Sequence, residues 1–371
     1  MTRAPRAVVV GAGPAGAAAA IWLARAGCST TIITRDSRSA APRGETFAAA
    51  GLEALRVLGV RDRFLAAMHR PCQRTCVAWG EGELTTHDHL FRLHGNGWQI
   101  DRIRFDSMLV EEAEAAGARV ITGARVNAVE RCNQLWRVRF LTTDGPLSEE
   151  CDWLIDATGR RAVLSRMVGA RWVETDHLVA QIGRFVSHSS RCPGEGVLLI
   201  ESAENGWWYS VVSPDGALLV AHITDRDRTT RGRWALELES TRHTGDRARS
   251  FTLTRVSGCS ASIGYRLPAA GSGWVAVGDA ALAHDPLSGQ GLVHALLTGI
   301  RGAEALCRGE TLTYANARAR ECNLYLQARR GVYRLETRWA RSAFWRRRRD
   351  APTTRSLTEM WQPPTLTDPE C

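Results

Sequence analysis

Apolar and polar positions along this chain follow two rhythms in turn. The β-branched run RAVVV at 6–10 predicts a buried strand, AGAAAAIWLARAG at 15–27 predicts an alanine-rich helix closed by Gly27, and TTIIT at 30–34 predicts a second strand. That is a βαβ unit. A helix from about Arg102 to Ala116, closed by Gly117, precedes strand patterns at RVIT, RVNAVE and WRVRFLT, and DWLIDATG at 152–159 carries a buried strand into a glycine turn. From about 172 to 255 the strands lengthen and gain aromatic residues. There GWWYSVVSPDGALLVAHIT reads as a hairpin around Pro214, Asp215 and Gly216. The first rhythm resumes at GWVAVGDA (273–280) and in the helix after SGQG, and residues 311–349 read as helices.

This pattern predicts an α/β fold: a discontinuous dinucleotide-type domain over 1–75, 97–170 and 256–310, with an inserted β-sheet domain over 76–96 and 171–255. C-terminal helices at 311–349 and a flexible tail at 350–371, with four prolines, complete the expectation. Composition adds little until charge is considered. The formal net charge is +9, and all 48 basic residues are Arg, because the chain contains no Lys. Residues 301–350 hold 13 Arg against 5 acidic residues, so most of the excess sits in one stretch. That stretch reads as a solvated helical surface or as a face for an acidic partner, with no nucleic-acid role expected.

The ten cysteines show no paired C-x-x-C spacing and predict free thiols in a reducing compartment. The adjacent His87, Asp88 and His89 mimic a metal cluster, but neighbouring strand positions diverge, and no metal is expected. Arg3 and Arg6 before an apolar run imitate a secretion signal; nucleotide-loop glycines inside the run argue for a mature strand and helix, and for a cytoplasmic protein without a membrane span.

The chemistry lies in the strand ends. In GAGPAG, Gly11 makes the turn, Gly13 lets backbone approach a diphosphate and Gly16 permits close helix packing, with Ala15 in the first helical turn facing the phosphates. Where an acid usually binds the ribose, the second strand ends in Thr34, followed by Arg35 and Asp36, so that contact falls to Thr34 or Asp36. DATGR places Asp156 and Gly159, and GDAA places Gly278 and Asp279, where backbone and a carboxylate can meet a dinucleotide. In DPLSGQGL, Pro286, Gly289, Gln290 and Gly291 open a helix whose positive end can stabilise an anionic reduced flavin.

With RGETF (43–47), GWQIDRIRFD (97–106), GWWYS and RWARSAFW, these motifs make the chain resemble FAD-dependent monooxygenases of the glutathione-reductase-like, para-hydroxybenzoate-hydroxylase superfamily. Within it the resemblance points to the branch shared with tryptophan halogenases and with flavoprotein maturases that hydroxylate a peptidyl tryptophan. It covers about residues 5–349. The resemblance implies a Rossmann-like FAD domain of the glutathione-reductase type, with Arg43, Glu45 and Arg102 flanking FAD, Val126 meeting the adenine through its backbone and Asp279 holding the ribityl chain. It also implies hydroxylation of an indole or tryptophan unit, free or on a peptide or carrier, through a C4a-hydroperoxyflavin. Electrons would come from NAD(P)H or a separate flavin reductase.

Halogenation is disfavoured. A flavin-dependent halogenase uses an active-site Lys, this chain has none, and its counterpart of the halogenase P-L-E-S-T-G segment is PLSGQG. Trp207 and Tyr209 can wall an aromatic pocket while Trp208 faces away, or all three can be plain core. His284 can assist proton transfer or be structural. The RRRR run at 346–349 can dock a polypeptide or serve as a helix end. The rival readings are a flavin reductase or dehydrogenase without oxygen insertion, and a non-catalytic FAD-binding maturation factor.

Overall fold

The computed structural model describes residues 3–35, 44–89, 95–187, 194–228 and 233–350. Its first layer is the expected βαβ sheet. Strand Arg6–Val10 pairs in parallel with Ser29–Ile33 on one side and Trp153–Asp156 on the other. Arg119–Ile121 and Trp274–Ala276 extend the sheet outward, and Ala270–Gly271 adds an antiparallel edge.

Register decides where function can sit. Val10 lies opposite both Ile33 and Asp156, and Asp156 lies opposite Ala276, so four strand ends finish level along one edge. Ligands of such sheets bind beyond the carboxyl ends of the strands.

Helix Pro14–Arg25 is alanine-rich because it is enclosed: Ala17 to Ile21 are fully buried. Helix Gly291–Arg308 crosses it so closely that a Cβ on Gly299 would lie 2.3 Å from the Ala15 carbonyl oxygen. Helix Arg102–Ala115 is capped by Asp101, whose carboxylate accepts from the backbone N–H groups of Ile103 and Arg104. In the three-stranded meander Arg125–Cys132, Leu135–Thr142 and Gly145–Cys151, RVNAVE pairs with WRVRFLT as expected, but the third strand is Gly145–Cys151, while RVIT joins the parallel sheet instead.

The second layer is a seven-stranded sheet. Its order is Phe251–Ser260, Leu178–Ser187, Leu218–Asp225, Gly206–Val212, Val197–Ala203, Arg74–Ala78 and Thr85–Asp88. The hairpin at 213–217 is held by the Asp215 carboxylate, which accepts from Ser213 Oγ and Ala217 N. Two boundaries differ from expectation. The sheet begins at Arg74 and runs to Ser260, whereas Arg171–Asp176 leaves it to pair with Ile263–Leu267. Hydrophobic pattern cannot distinguish which sheet a strand joins, because pairing partners lie far apart in sequence. Helix Thr311–Arg334 starts against the first layer, where Tyr314 and Ala315 join its core, and reaches the seven-stranded sheet at its far end, where Tyr333, with Phe344 and Trp345 of helix Ala343–Arg349, packs with Leu178, Trp207 and Ala221. Among the described residues, no helix is long and apolar enough to cross a membrane.

Candidate cofactor and substrate site

The level strand ends are knitted by backbone. Gly11 N–H donates to Ile33 O, Ala157 N–H to Val10 O and Val277 N–H to Asp156 O, each at 2.9 Å. Gly11 has φ +107°, and a Cβ there would lie 2.2 Å from Ala157 O; on Gly16 it would lie 1.9 Å from Gly11 O. These two glycines are therefore obligatory for packing. Gly13 differs: a Cβ there meets nothing within 4 Å, and the same holds at Gly159, Gly289 and Gly291. The open backbone of Gly13 caps helix Pro14–Arg25, whose free N–H groups and positive end suit a diphosphate. Thr34 donates its N–H to Ile121 O and accepts from Ala124 N–H, bringing it beside the strand that carries Val126. Arg35 is exposed at this strand end, and Arg43 and Asp36 lie outside the described residues.

Asp156 points inward. Its two oxygens accept from Thr158 N, Thr158 Oγ1, Ser165 N and Ser165 Oγ at 2.6–3.0 Å, which fills the acceptor capacity of a carboxylate. This correction to its expected cofactor role has a simple cause: the turn's own donors consume it. Asp279 is paired with Arg160, whose Nε lies 3.2 Å from Oδ2 and whose Nη2 donates to His284 O at 3.2 Å. Arg160 thus ties together DATGR, GDAA and His284, the residue before DPLSGQGL, a role signalled only by its place directly after Gly159.

Arg102 sits between Glu45, at 2.6 Å, and Asp106, which it grips through two nitrogens at 3.1 and 2.9 Å. Burial opposes its charge, but the two carboxylates outweigh burial and push its pKa up. Three residues earlier, Gln99 is 1% exposed, and neither end of its side-chain amide has a partner. A buried amide without partners costs free energy unless another group satisfies it. Gln99 is paired with Thr46, the residue after Glu45, in a small sheet, and Ile100 N–H donates to Glu45 O.

The turn at 284–291 holds the arrangement that sequence reading missed. Asp285 is 2% exposed and caps the short helix Pro286–Ser288 by accepting from Leu287 N–H. Three side chains of helix Thr311–Arg334, spaced four residues apart, converge on it. Tyr325 Oη accepts from Asp285 N–H at 2.6 Å, while Arg329 Nε and Tyr333 Oη each donate to Asp285 Oδ2 at 2.8 Å. The signal was present as Y-x3-R-x3-Y, one face of a helix.

From there an ionic chain continues. Arg329 contacts Asp176, Arg348 bridges Asp176 and Asp225 at 2.7 and 2.6 Å, and Arg347 lies 3.0 Å from Asp225. The RRRR run is thus largely engaged within the fold: Arg348 is buried, Arg347 is paired, and Arg349 donates to the carbonyls of Glu336 and Ala340.

His284 itself packs against His294 and Tyr325, with centroids 4.3 and 4.4 Å away. Burial, and then His294, depress its pKa to about 3. A neutral, enclosed imidazole is a core residue, which corrects the expectation of proton transfer. The aromatic strand splits as alternation demands. Trp208 stacks on His222 at 4.2 Å on one face, while Trp207 and Tyr209 share the other. Trp207 is 1% exposed and donates to Tyr333 Oη at 3.0 Å, among Trp79 and Tyr333. Tyr209 is half-buried, and a Cβ on Gly44 would lie 3.4 Å from its ring, so this face meets the segment leading to Glu45.

Residues 5–259 match the family described as FAD binding domain. The chain belongs to this family. The open Gly13 backbone at a helix start and the unpartnered Gln99 amide fit such a cofactor. Among relatives, the FAD-dependent oxidoreductase LodB of Marinomonas mediterranea is 29% identical over 356 residues, 92% of this chain and 96% of its own. The menaquinone reductase of Mycobacterium tuberculosis is 30% identical over 330 residues, 81% of this flavoprotein and 76% of its own chain. The solved structure of the peptidyl tryptophan dihydroxylase QhpG is similar with TM-score 0.77 at 25% identity, covering 96% of this chain and 81% of that one. Flavin-dependent halogenase structures share the fold at 22% identity.

Proposed function

We propose that this flavoprotein is an FAD-dependent monooxygenase that hydroxylates an aromatic of the indole or tryptophan type, presented on a peptide or carrier. The observation that carries the reading is the likeness to QhpG, a peptidyl tryptophan dihydroxylase, over 96% of the chain. The absence of Lys argues against halogenation by the lysine-dependent route.

Gly11, Gly13, Ala15 and Gly16 would hold the diphosphate, Thr34 and Val126 the adenosine, and Gln99, Arg102, Glu45 and Asp279 the sugar and ribityl portions. Pro286, Gly289, Gln290 and Gly291 would face the flavin ring. Bound FAD supplies the redox step, taking two electrons from NAD(P)H or a flavin reductase and delivering them to dioxygen. This chain's residues orient and exclude. The Gly291 helix start presents N–H groups to developing negative charge. Tyr209 offers an apolar ring face against which an indole can stack.

Incubation of the reduced, FAD-loaded protein with tryptophan-bearing peptides under isotopically labelled dioxygen is expected to place labelled oxygen in the indole. Label recovered only as peroxide and water would sink this reading. The menaquinone reductase relative favours a second reading, a flavin reductase without oxygen insertion. It predicts anaerobic reduction of a quinone by the same reduced protein.

A further inference from the structure

The turn that precedes helix Gly291–Arg308 is held from a distance. Asp285 caps the first turn of Pro286–Ser288, and its remaining contacts come from Tyr325, Arg329 and Tyr333 on helix Thr311–Arg334. Tyr333 is fully buried; it accepts from Trp207 of the aromatic strand while donating to Asp285. Arg329 reaches Asp176, and Asp176 reaches Arg348 on the last helix. Three carboxylates and three guanidiniums alternate from Asp285 to Arg347, so each buried charge is compensated only while its neighbours stay in place.

We propose that Asp285 is a positioning residue for the flavin-facing turn, gripped by Tyr325, Arg329 and Tyr333 and tethered through Asp176 to Arg348 of the terminal helix. The proposal rests on the reading that Pro286–Gly291 faces FAD. The C-terminal helices then tune the flavin: they set where the helix start points and how much of the Asp285 negative charge it feels. Two substitutions act on that charge in opposite directions. Tyr333→Phe removes a donor and leaves the carboxylate less neutralised, which disfavours electrons arriving on a nearby flavin. Asp285→Asn removes the negative charge and leaves Arg329 with Asp176 as its remaining carboxylate partner, which favours them.

The test measures FAD affinity and the reduction potential of the bound flavin in the full-length protein and its variants. Tyr333→Phe is expected to lower the potential and to weaken FAD binding about five- to tenfold. Asp285→Asn is expected to raise the potential. Arg348→Met should shift it in the same direction as Tyr333→Phe by a smaller amount, with Arg348→Lys restoring most of the difference. Arg349→Ala, which removes only carbonyl contacts at the helix end, should lower stability without moving the potential. Unchanged potentials in Tyr333→Phe and Arg348→Met overturn the proposal, as does a shift of the same sign in Tyr333→Phe and Asp285→Asn, which would report mere loosening of the turn. If Asp285→Asn does not fold, Tyr333→Phe remains decisive because it keeps the ring and its packing. Gly291→Val separates the two layers: loss of FAD with unmoved potentials in the other variants overturns only the tether, whereas full FAD retention overturns the reading of the turn as well.

Discussion

The glycine edge and the Asp285 junction do related work with opposite materials. At the edge, backbone does everything: Gly11, Gly16 and Ala157 touch through main-chain atoms, and the segments involved are signalled by their own local motifs. At the junction, side chains do everything: Asp176, Asp225, Asp285, Arg329, Tyr333 and Arg348 come from five separate elements. A site made of backbone fails by steric exclusion, whereas a site made of buried charges fails by loss of compensation.

The largest effect should come from forcing a side chain into the edge. Gly11→Val places atoms inside the Ala157 carbonyl and is expected to destabilise by roughly 3 kcal/mol or more, with loss of bound FAD after gel filtration. Normal flavin content would break the contrast at its first term.

Next comes the junction. Arg348→Met removes the buried cation shared by Asp176 and Asp225, leaving each with one arginine, Arg329 and Arg347, and about 2–3 kcal/mol of unfolding free energy should vanish in a denaturant titration. A loss under 1 kcal/mol would mean that water reaches these carboxylates.

Acid should act on the side-chain half of the molecule before it touches the edge. Burial holds His222 and His284 at about 3, below the usual value near 6.5. A folded pKa below the unfolded one means that the unfolded chain binds more protons between those values, so stability is full above about pH 6.5 and falls as pH drops toward 3. Between pH 7 and 5 the expected loss is about 2 kcal/mol per histidine and about 4 kcal/mol for the pair, and His222→Gln should halve that slope. A pH-independent midpoint over this interval would remove the histidines from the account.

The smallest effect on stability belongs to Gly13. Because an added Cβ meets nothing, Gly13→Ala should leave the apoprotein within about 0.5 kcal/mol while weakening FAD binding. Unaltered FAD affinity would show that the diphosphate lies elsewhere.

These tests also mark what could be read in advance. The βαβ unit, the pairing of Arg125–Cys132 with Leu135–Thr142, the hairpin at Pro214 to Gly216 and the split of Trp207 and Tyr209 from Trp208 were legible because each depends on local periodicity and turn chemistry. His284 was misread as a candidate for proton transfer because its neighbours, His294 and Tyr325, come from two later helices. Asp156 was misread because Ser165, nine residues on, returns to fill its second oxygen. The internal pairing of the RRRR run was not legible because the carboxylates that engage it, at 176 and 225, sit at the ends of strands more than a hundred residues earlier.

What the sequence alone determined is the part whose physics is short-range: glycines where backbone must approach backbone, and strand ends that carry loops. What only the tertiary structure decided is which charges meet. Folding brings Asp285 under Tyr325, Arg329 and Tyr333, and buries Arg348 between two carboxylates, because a desolvated charge is tolerated only where opposite charges from distant segments arrive together.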